Sequence, residues 1–200
     1  MERRNLLKMI MAATGVAMVG GNAFAYEFKG QVPLSATVFS AEDVMLFNEI
    51  AEVIIPRTDT PGAKDANVGL MALILANDCY APTVREAFIK GLQSINKLCQ
   101  ERFTKPYLLL NKEQKSEFVT QLDTDAKTAN QKMQIHYVGS TPSGGNAEQI
   151  PHFFTLIKQL TLFSFFTSEI GATKVLRYEA VPGKDNGELE YRKGDRAWAT

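Results

Sequence analysis

The segment Phe153–Phe166, FFTLIKQLTLFSFF, is apolar on nearly every side if wound as a helix. Phe153, Phe154, Leu156, Ile157, Leu160, Leu162, Phe163, Phe165 and Phe166 leave no wide polar face. Such a helix has to be surrounded, either by the rest of its own fold or by a partner. That requirement points to a helical bundle, and the rest of the chain supplies helices to build one.

Ser40 and Asp43 form a Ser-x-x-acid capping box, and Val44, Phe47, Ala51 and Ile54 then recur at helical spacing. Pro56 stops that helix. Arg57 to Ala66 reads as a turn-rich link, in which Thr60 or Asp59 accepts backbone hydrogen bonds and Pro61-Gly62 suits a type II turn. Asn67 to Cys79 reads as a second helix, apolar on most sides through Leu70, Met71, Leu73, Ile74 and Leu75, and so central. Thr83 and Glu86 form a further capping box for a third helix with Phe88, Leu92, Ile95 and Cys99 on one face. Lys105-Pro106 breaks it near Phe103, and Asn111 caps a fourth helix carrying Phe118 and Leu122. Residues 139–146, GSTPSGGN, read as a surface loop, with any strand short and near Gln134–Val138 or in the tail. Pro151 suits the first position of the aromatic helix, and Ser168 caps a short helix through Tyr178, broken softly at Gly171. The expectation is a mostly α protein, a single compact domain of about five to six helices with an irregular C-terminal tail.

The first residues carry a different signal. Arg3-Arg4, Leu6-Leu7 and Lys8 precede a diluted apolar run from Met9 to Gly21 that falls short of the ~20 residues a spanning helix needs. Ala23-Phe24-Ala25 is a small-x-small cleavage site, with the cut expected before Tyr26. The pattern matches a twin-arginine export signal, an address read by a translocase. The expected organisation is residues 1–25 as signal peptide, 26–39 as an extended arm and 40–200 as the helical domain, with the mature protein in the periplasm. Proteins exported by that route generally cross the membrane folded, with a cofactor of their own or a partner that has one.

The rest of the chain offers no cofactor motif. Formal net charge is zero over 200 residues, which leaves no electrostatic footprint for nucleic acid. His136 and His152 are the two histidines, and neither His-x-x-x-His nor Cys-x-x-Cys occurs. No Cys-x-x-Cys-His for haem, no Gly-x-Gly-x-x-Gly for flavin or nicotinamide and no Gly-x-Ser-x-Gly nucleophile motif is present. Cys79 and Cys99 fall on apolar faces, where a buried, unreactive thiol is expected. A hairpin about Pro82 puts their sulfurs about 24 Å apart along the third helix, so no bridge is expected between them.

Two stretches carry a resemblance. One is Ile54-Ile55-Pro56-Arg57-Thr58-Asp59-Thr60-Pro61-Gly62-Ala63. The other is Leu160-Thr161-Leu162-Phe163-Ser164-Phe165-Phe166-Thr167-Ser168-Glu169-Ile170-Gly171, continuing to Arg177-Tyr178 and Val181-Pro182-Gly183. In order and spacing they resemble the gluconate 2-dehydrogenase subunit 3 family, from about Ser40 to the C-terminus. Ser164-Phe165 departs from the Gly-Tyr often found there in relatives.

The resemblance implies a non-catalytic accessory subunit without a redox centre. Its partner would be a larger flavoprotein of the glucose–methanol–choline type holding FAD, with a cytochrome c subunit holding haem c. The complex would associate with the inner membrane. The small subunit would support maturation of the flavoprotein and bring the export signal that its partner lacks. Surplus aromatics, Phe165 and Phe166 with Tyr178 and Trp198, are then candidates for the partner interface. The alternative is a stand-alone periplasmic enzyme or small-molecule binder, which would need convergent polar groups in a pocket.

Overall fold

A computed structural model of the protein describes residues 34–133, 136–138, 141–143, 150–181, 183 and 187–199. The leader, including Arg3, Arg4, Leu6, Leu7, Lys8 and the cleavage site Ala23, Ala25 and Tyr26, lies outside the described residues, as does most of the expected arm. The chain divides into a unit ending at Ala36 and a compact unit from Thr37 onward. Of the first, the described part is a single 3-10 turn, Leu34–Ala36.

The second unit is mostly helical. Its α-helices are α1 (Ala41–Ile54), α2 (Val68–Cys79), α3 (Pro82–Phe103), α4 (Lys112–Lys132) and α5 (Phe153–Phe166). A 3-10 turn, Tyr107–Leu109, joins α3 to α4, and a π-helical turn, Gly171–Val175, follows α5. Two three-residue strands, β1 (His136–Val138) and β2 (Thr141–Ser143), pair antiparallel with His136 opposite Ser143. The second strand occupies part of the stretch expected to be loop. Among the described residues no helix is long and apolar enough to cross a membrane.

Local chemistry sets most helix ends. Ser40 Oγ accepts from Asp43 N at 3.2 Å while Asp43 Oδ2 accepts from Ser40 N at 2.8 Å, the reciprocal box that starts α1. Asn111 and Gln114 do the same for α4, at 2.8 and 3.1 Å. At α3 the expected Thr83–Glu86 box does not form. The helix starts two residues earlier, at Pro82 rather than Val84, because the fixed φ of proline suits the first helical position, and Glu86 turns outward to pair with Lys90. Pro151 lies before α5, whose cap is His152.

Which faces are buried is less local. In α1 the buried stripe is Leu46, Phe47, Ile50 and Ala51, rotated from the expected one, with Val44 and Ile54 only half-buried. The third-helix face Phe88, Leu92, Ile95 and Cys99 is buried as expected. The second helix is not the centre: Met71 is exposed, and α2 buries the small residues Gly69, Ala72 and Ala76 with Val68 and Leu73. The central element is α5, which packs against α1, α2, α3 and α4.

Two glycines let the helices approach that closely. A β-carbon at Gly69 would stand 2.8 Å from the Val44 carbonyl oxygen, and one at Gly91 would overlap Phe153. Phe39, Phe47 and Tyr80 surround Phe88 with ring centroids 6.0, 6.4 and 6.2 Å away, closing one end of the core.

Candidate functional site

The link between α1 and α2 contains the first of the two characteristic stretches. Three carboxylates from outside its tip hold it. Glu52 accepts from Arg57 N at 3.0 Å and from Lys64 N at 2.8 Å. Asp65 accepts from Gly62 N at 2.8 Å and from Arg57 Nε at 2.7 Å, and a second Arg57 nitrogen pairs with its other oxygen. Glu49 pairs with Lys64 and with Lys115 of α4, the latter at 2.8 Å. Thr58 and Asp59 are exposed at the tip, where the Thr60 carbonyl accepts from Thr58 N at 3.0 Å and Asp59 accepts from the Thr58 hydroxyl at 2.9 Å.

Gly62 does not take the positive φ that a type II turn would give it. Its role is close approach: a β-carbon would stand 2.5 Å from Arg57 N and 2.7 Å from Glu52 Oε1. Sequence reasoning missed Glu49, Glu52 and Asp65. The i, i+3 spacing of Glu49 and Glu52 placed them on one face of α1, but nothing local showed that the link folds back beneath it.

Beside this loop is a cleft of about 550 Å³, lined by Glu49, Glu52, Val53, Pro56, Arg57, Thr58, Lys112, Lys115 and Ser116. Lys115 also lies over the Tyr107 ring, 5.6 Å from its centroid. Burial, with smaller contributions from Cys99 and Glu49, pushes the Tyr107 hydroxyl well above its ordinary value. That hydroxyl has no hydrogen-bond partner among the described residues.

The expected interface residues separate. Phe165 is 1% exposed and belongs to the core, edge-on to Phe166 at 5.2 Å, because its position on α5 faces the other helices. It is removed from the candidate surface. Phe166, Tyr178 and Trp198 are 39%, 57% and 44% exposed, and Leu162 and Phe163 extend the apolar surface of α5. Sequence periodicity alone did not separate 163 from 165.

The tail folds back on the segment that follows α5. Arg177 N donates to Ala197 O and Ala199 N to Arg177 O, both at 2.8 Å, and the Arg177 guanidinium lies 4.2 Å from the Trp198 ring centroid. Ser168 caps the turn before it, accepting from Gly171 N at 3.0 Å. The turn ends at Val175 rather than Tyr178, and Gly171 does not break it: a β-carbon there would collide with the Phe165 carbonyl.

His152 is the α5 cap. Its Nδ1 accepts from Phe154 N at 3.3 Å, while its own backbone N–H donates to buried Asn130 at 3.0 Å. Burial holds the imidazole below its ordinary value against the charge of Asp125. His136 is on β1. Both cysteines are free, but Cys79 is exposed, against expectation, because it ends α2 on the outside of the unit. Cys99 is buried, and burial pushes its thiol up to about 12, so it stays protonated and unreactive. Among the described residues no group of three or more His, Cys, Asp or Glu side chains is placed to hold a metal ion.

The described residues form a mostly helical protein with exposed apolar side chains on α5 and a cleft beside the 57–66 link. A family model described as Gluconate 2-dehydrogenase subunit 3 matches residues 41–183. The chain belongs to that family, and is thereby a subunit of a multi-subunit dehydrogenase complex. No curated protein and no solved structure matches it.

Proposed function

We propose that the chain is the non-catalytic small subunit of a periplasmic flavin-dependent dehydrogenase complex, and that it supports maturation and export of the catalytic subunit. The observation that carries this reading is the family match from 41 to 183, which covers the helical unit and leaves the arginine-pair leader as an added segment. On this reading FAD belongs to the larger flavoprotein and haem c to a cytochrome subunit. The complex sits at the periplasmic face of the inner membrane. The leader at Arg3-Arg4 engages the twin-arginine translocase on behalf of both chains.

The exposed apolar residues favour a partner. Phe166, Tyr178 and Trp198 are exposed, and the Arg177–Trp198 bridge brings the segments of the last two together. Aromatic side chains of this kind are common anchors at protein interfaces.

The experiment is purification of the full chain, tagged at its C-terminus, from the periplasm of its own host. Stoichiometric recovery with a flavin-containing dehydrogenase supports the reading. A monomer that oxidises a substrate by itself overturns it. Replacing Arg3-Arg4 by Lys-Lys should leave both this chain and the flavoprotein in the cytoplasm. Undiminished export of both rejects the role given to the leader.

A further inference from the structure

The cleft beside the 57–66 link has an uneven supply of hydrogen-bonding groups. It contains two carboxylates, and all four of their oxygens are taken by donors of the same unit. Glu49 gives one oxygen to Lys64 and one to Lys115. Glu52 gives one to Arg57 N and one to Lys64 N. The donors are not matched in the same way. The Lys112 ammonium and the Ser116 hydroxyl have no side-chain partner among the described residues, and Arg57 uses only one edge of its guanidinium on Asp65.

Val53 and Pro56 supply the apolar part of the same lining. Pro56, Arg57, Thr58, Lys112 and Ser116 are all exposed, so the cleft is a trough open to large molecules. Its walls are fixed. The carboxylate contacts of Glu52 and Asp65 hold the link, and the Glu49–Lys115 pair ties α1 to α4. A surface held in its bound shape loses less on association.

From this we infer that the trough is a second docking site for the partner subunit, and that it receives a protruding segment in which an Asp or Glu stands next to an apolar residue. The carboxylate meets Lys112, Ser116 and the outer edge of Arg57, while the apolar neighbour covers Val53 and Pro56. The inference rests on the reading of this chain as a complex subunit. It is independent of the aromatic surface at the end of α5.

The test uses the full-length chain and the dehydrogenase subunit that co-purifies with it, each isolated and recombined. A carbodiimide joins an amine to a carboxylate only when the two are in direct contact. In the assembled complex it should link Lys112 to an acidic residue of the other subunit, and peptide mass spectrometry reads the bond. Lys112→Glu should weaken association roughly tenfold, with the largest effect at low salt. Reversing the cross-linked acid to Lys should restore it. Lys112 is exposed at the first turn of α4, where Glu suits the helix dipole, so the variant should keep its fold. Lys105→Glu, an exposed reversal away from the trough, should leave association unchanged.

A complex that forms with Lys112 unlinked and Lys112→Glu without effect overturns the trough while leaving the subunit reading in place. Failure of the two chains to associate at all overturns both. Titration with sodium acetate or sodium gluconate provides the third arm. Saturable shifts of the Lys112 and Ser116 resonances by either salt, without a cross-link in the complex, would make the trough a small-carboxylate site and overturn the proposal.

Discussion

Glu52 lies so close to Gly62 that a β-carbon on the glycine would stand 2.7 Å from one carboxylate oxygen and 2.8 Å from the other. The same carboxylate holds the N–H groups of Arg57 and Lys64, so it cannot move away without releasing the link. Gly62→Ala is expected to destabilise the protein by about 1–3 kcal/mol, the usual cost of overpacking. Urea unfolding measures it. In a Glu52→Ala background the cost should shrink but not vanish, since Arg57 N also stands 2.5 Å from that position.

Gly91 tests the approach of α3 to α5. In the middle of a helix, Gly→Ala ordinarily gains about 1 kcal/mol from backbone propensity. Here the new methyl would overlap Phe153, and overpacking costs about 1–3 kcal/mol, so Gly91→Ala should destabilise on balance. Phe153→Ala removes the ring atoms but keeps the Phe153 β-carbon, itself 2.2 Å from the new methyl. In that background the cost of Gly91→Ala should shrink but not vanish, and a double-mutant cycle reads the coupling.

Stability should fall toward acid in two steps. Burial raises the Glu49 carboxyl, but Lys115 and Lys64 together outweigh it and hold it below the usual carboxylate range. Asp123 is held down in the same way by Lys127 and Lys158 against burial. A carboxyl depressed in the folded state contributes stability above its unfolded value and loses it as pH falls through the folded one, so this step lies below about pH 4.5. His152 is also depressed, by burial, so the folded state prefers the neutral ring. Its contribution is lost from about pH 6.5 downward, through the lowered folded value. His152→Asn keeps a good helix cap and should remove the upper step. Lys115→Met should shrink the lower one. Denaturant unfolding measured across this pH range separates them.

Ser164 is 2% exposed, and its hydroxyl has no partner among the described residues. Ser164→Ala removes a buried polar group that lacks a hydrogen bond and adds helix propensity. The expected gain is about 1 kcal/mol, read as a higher melting temperature with no change in far-UV circular dichroism.

Trp198 is 44% exposed and stacked on Arg177 at the surface. On the proposed function, Trp198→Ala should weaken association with the partner by about 2 kcal/mol, the scale of an interface anchor. It should change the melting temperature little. The reverse pattern would make the stack a structural brace.

The sequence was most informative where one residue's chemistry acts within a turn. Ser40 with Asp43, Asn111, Pro56 and Pro106 mark helix ends in the places the chain uses them. The Thr83–Glu86 pair failed because Pro82, one position ahead, was a better start and needed no side-chain cap. Faces were harder. Val44 and Ile54 fit the helical period as well as Leu46 and Ile50 do, and the choice depended on where α2 and α5 lie.

The candidate sites divide in the same way. The link at 54–63 was visible as a characteristic stretch, but its support from Glu49, Glu52 and Asp65 was not, since those contacts exist only after the link turns back on α1. Phe165 and Phe166 are neighbours in sequence with the same side chain, yet one is core and the other surface.

By itself the sequence determined a helical chain with defined breaks, an aromatic segment that had to be surrounded, and the family to which it belongs. Those follow from hydrogen bonds and sterics over three or four residues and from the number of apolar side chains. The tertiary structure decided that α5 is the centre, that Gly62, Gly69 and Gly91 are there for close approach, and that the free donors of α4 line a trough beside the link. Burial and contact across helices depend on groups far apart in the chain, whose distances exist only once the helices have packed.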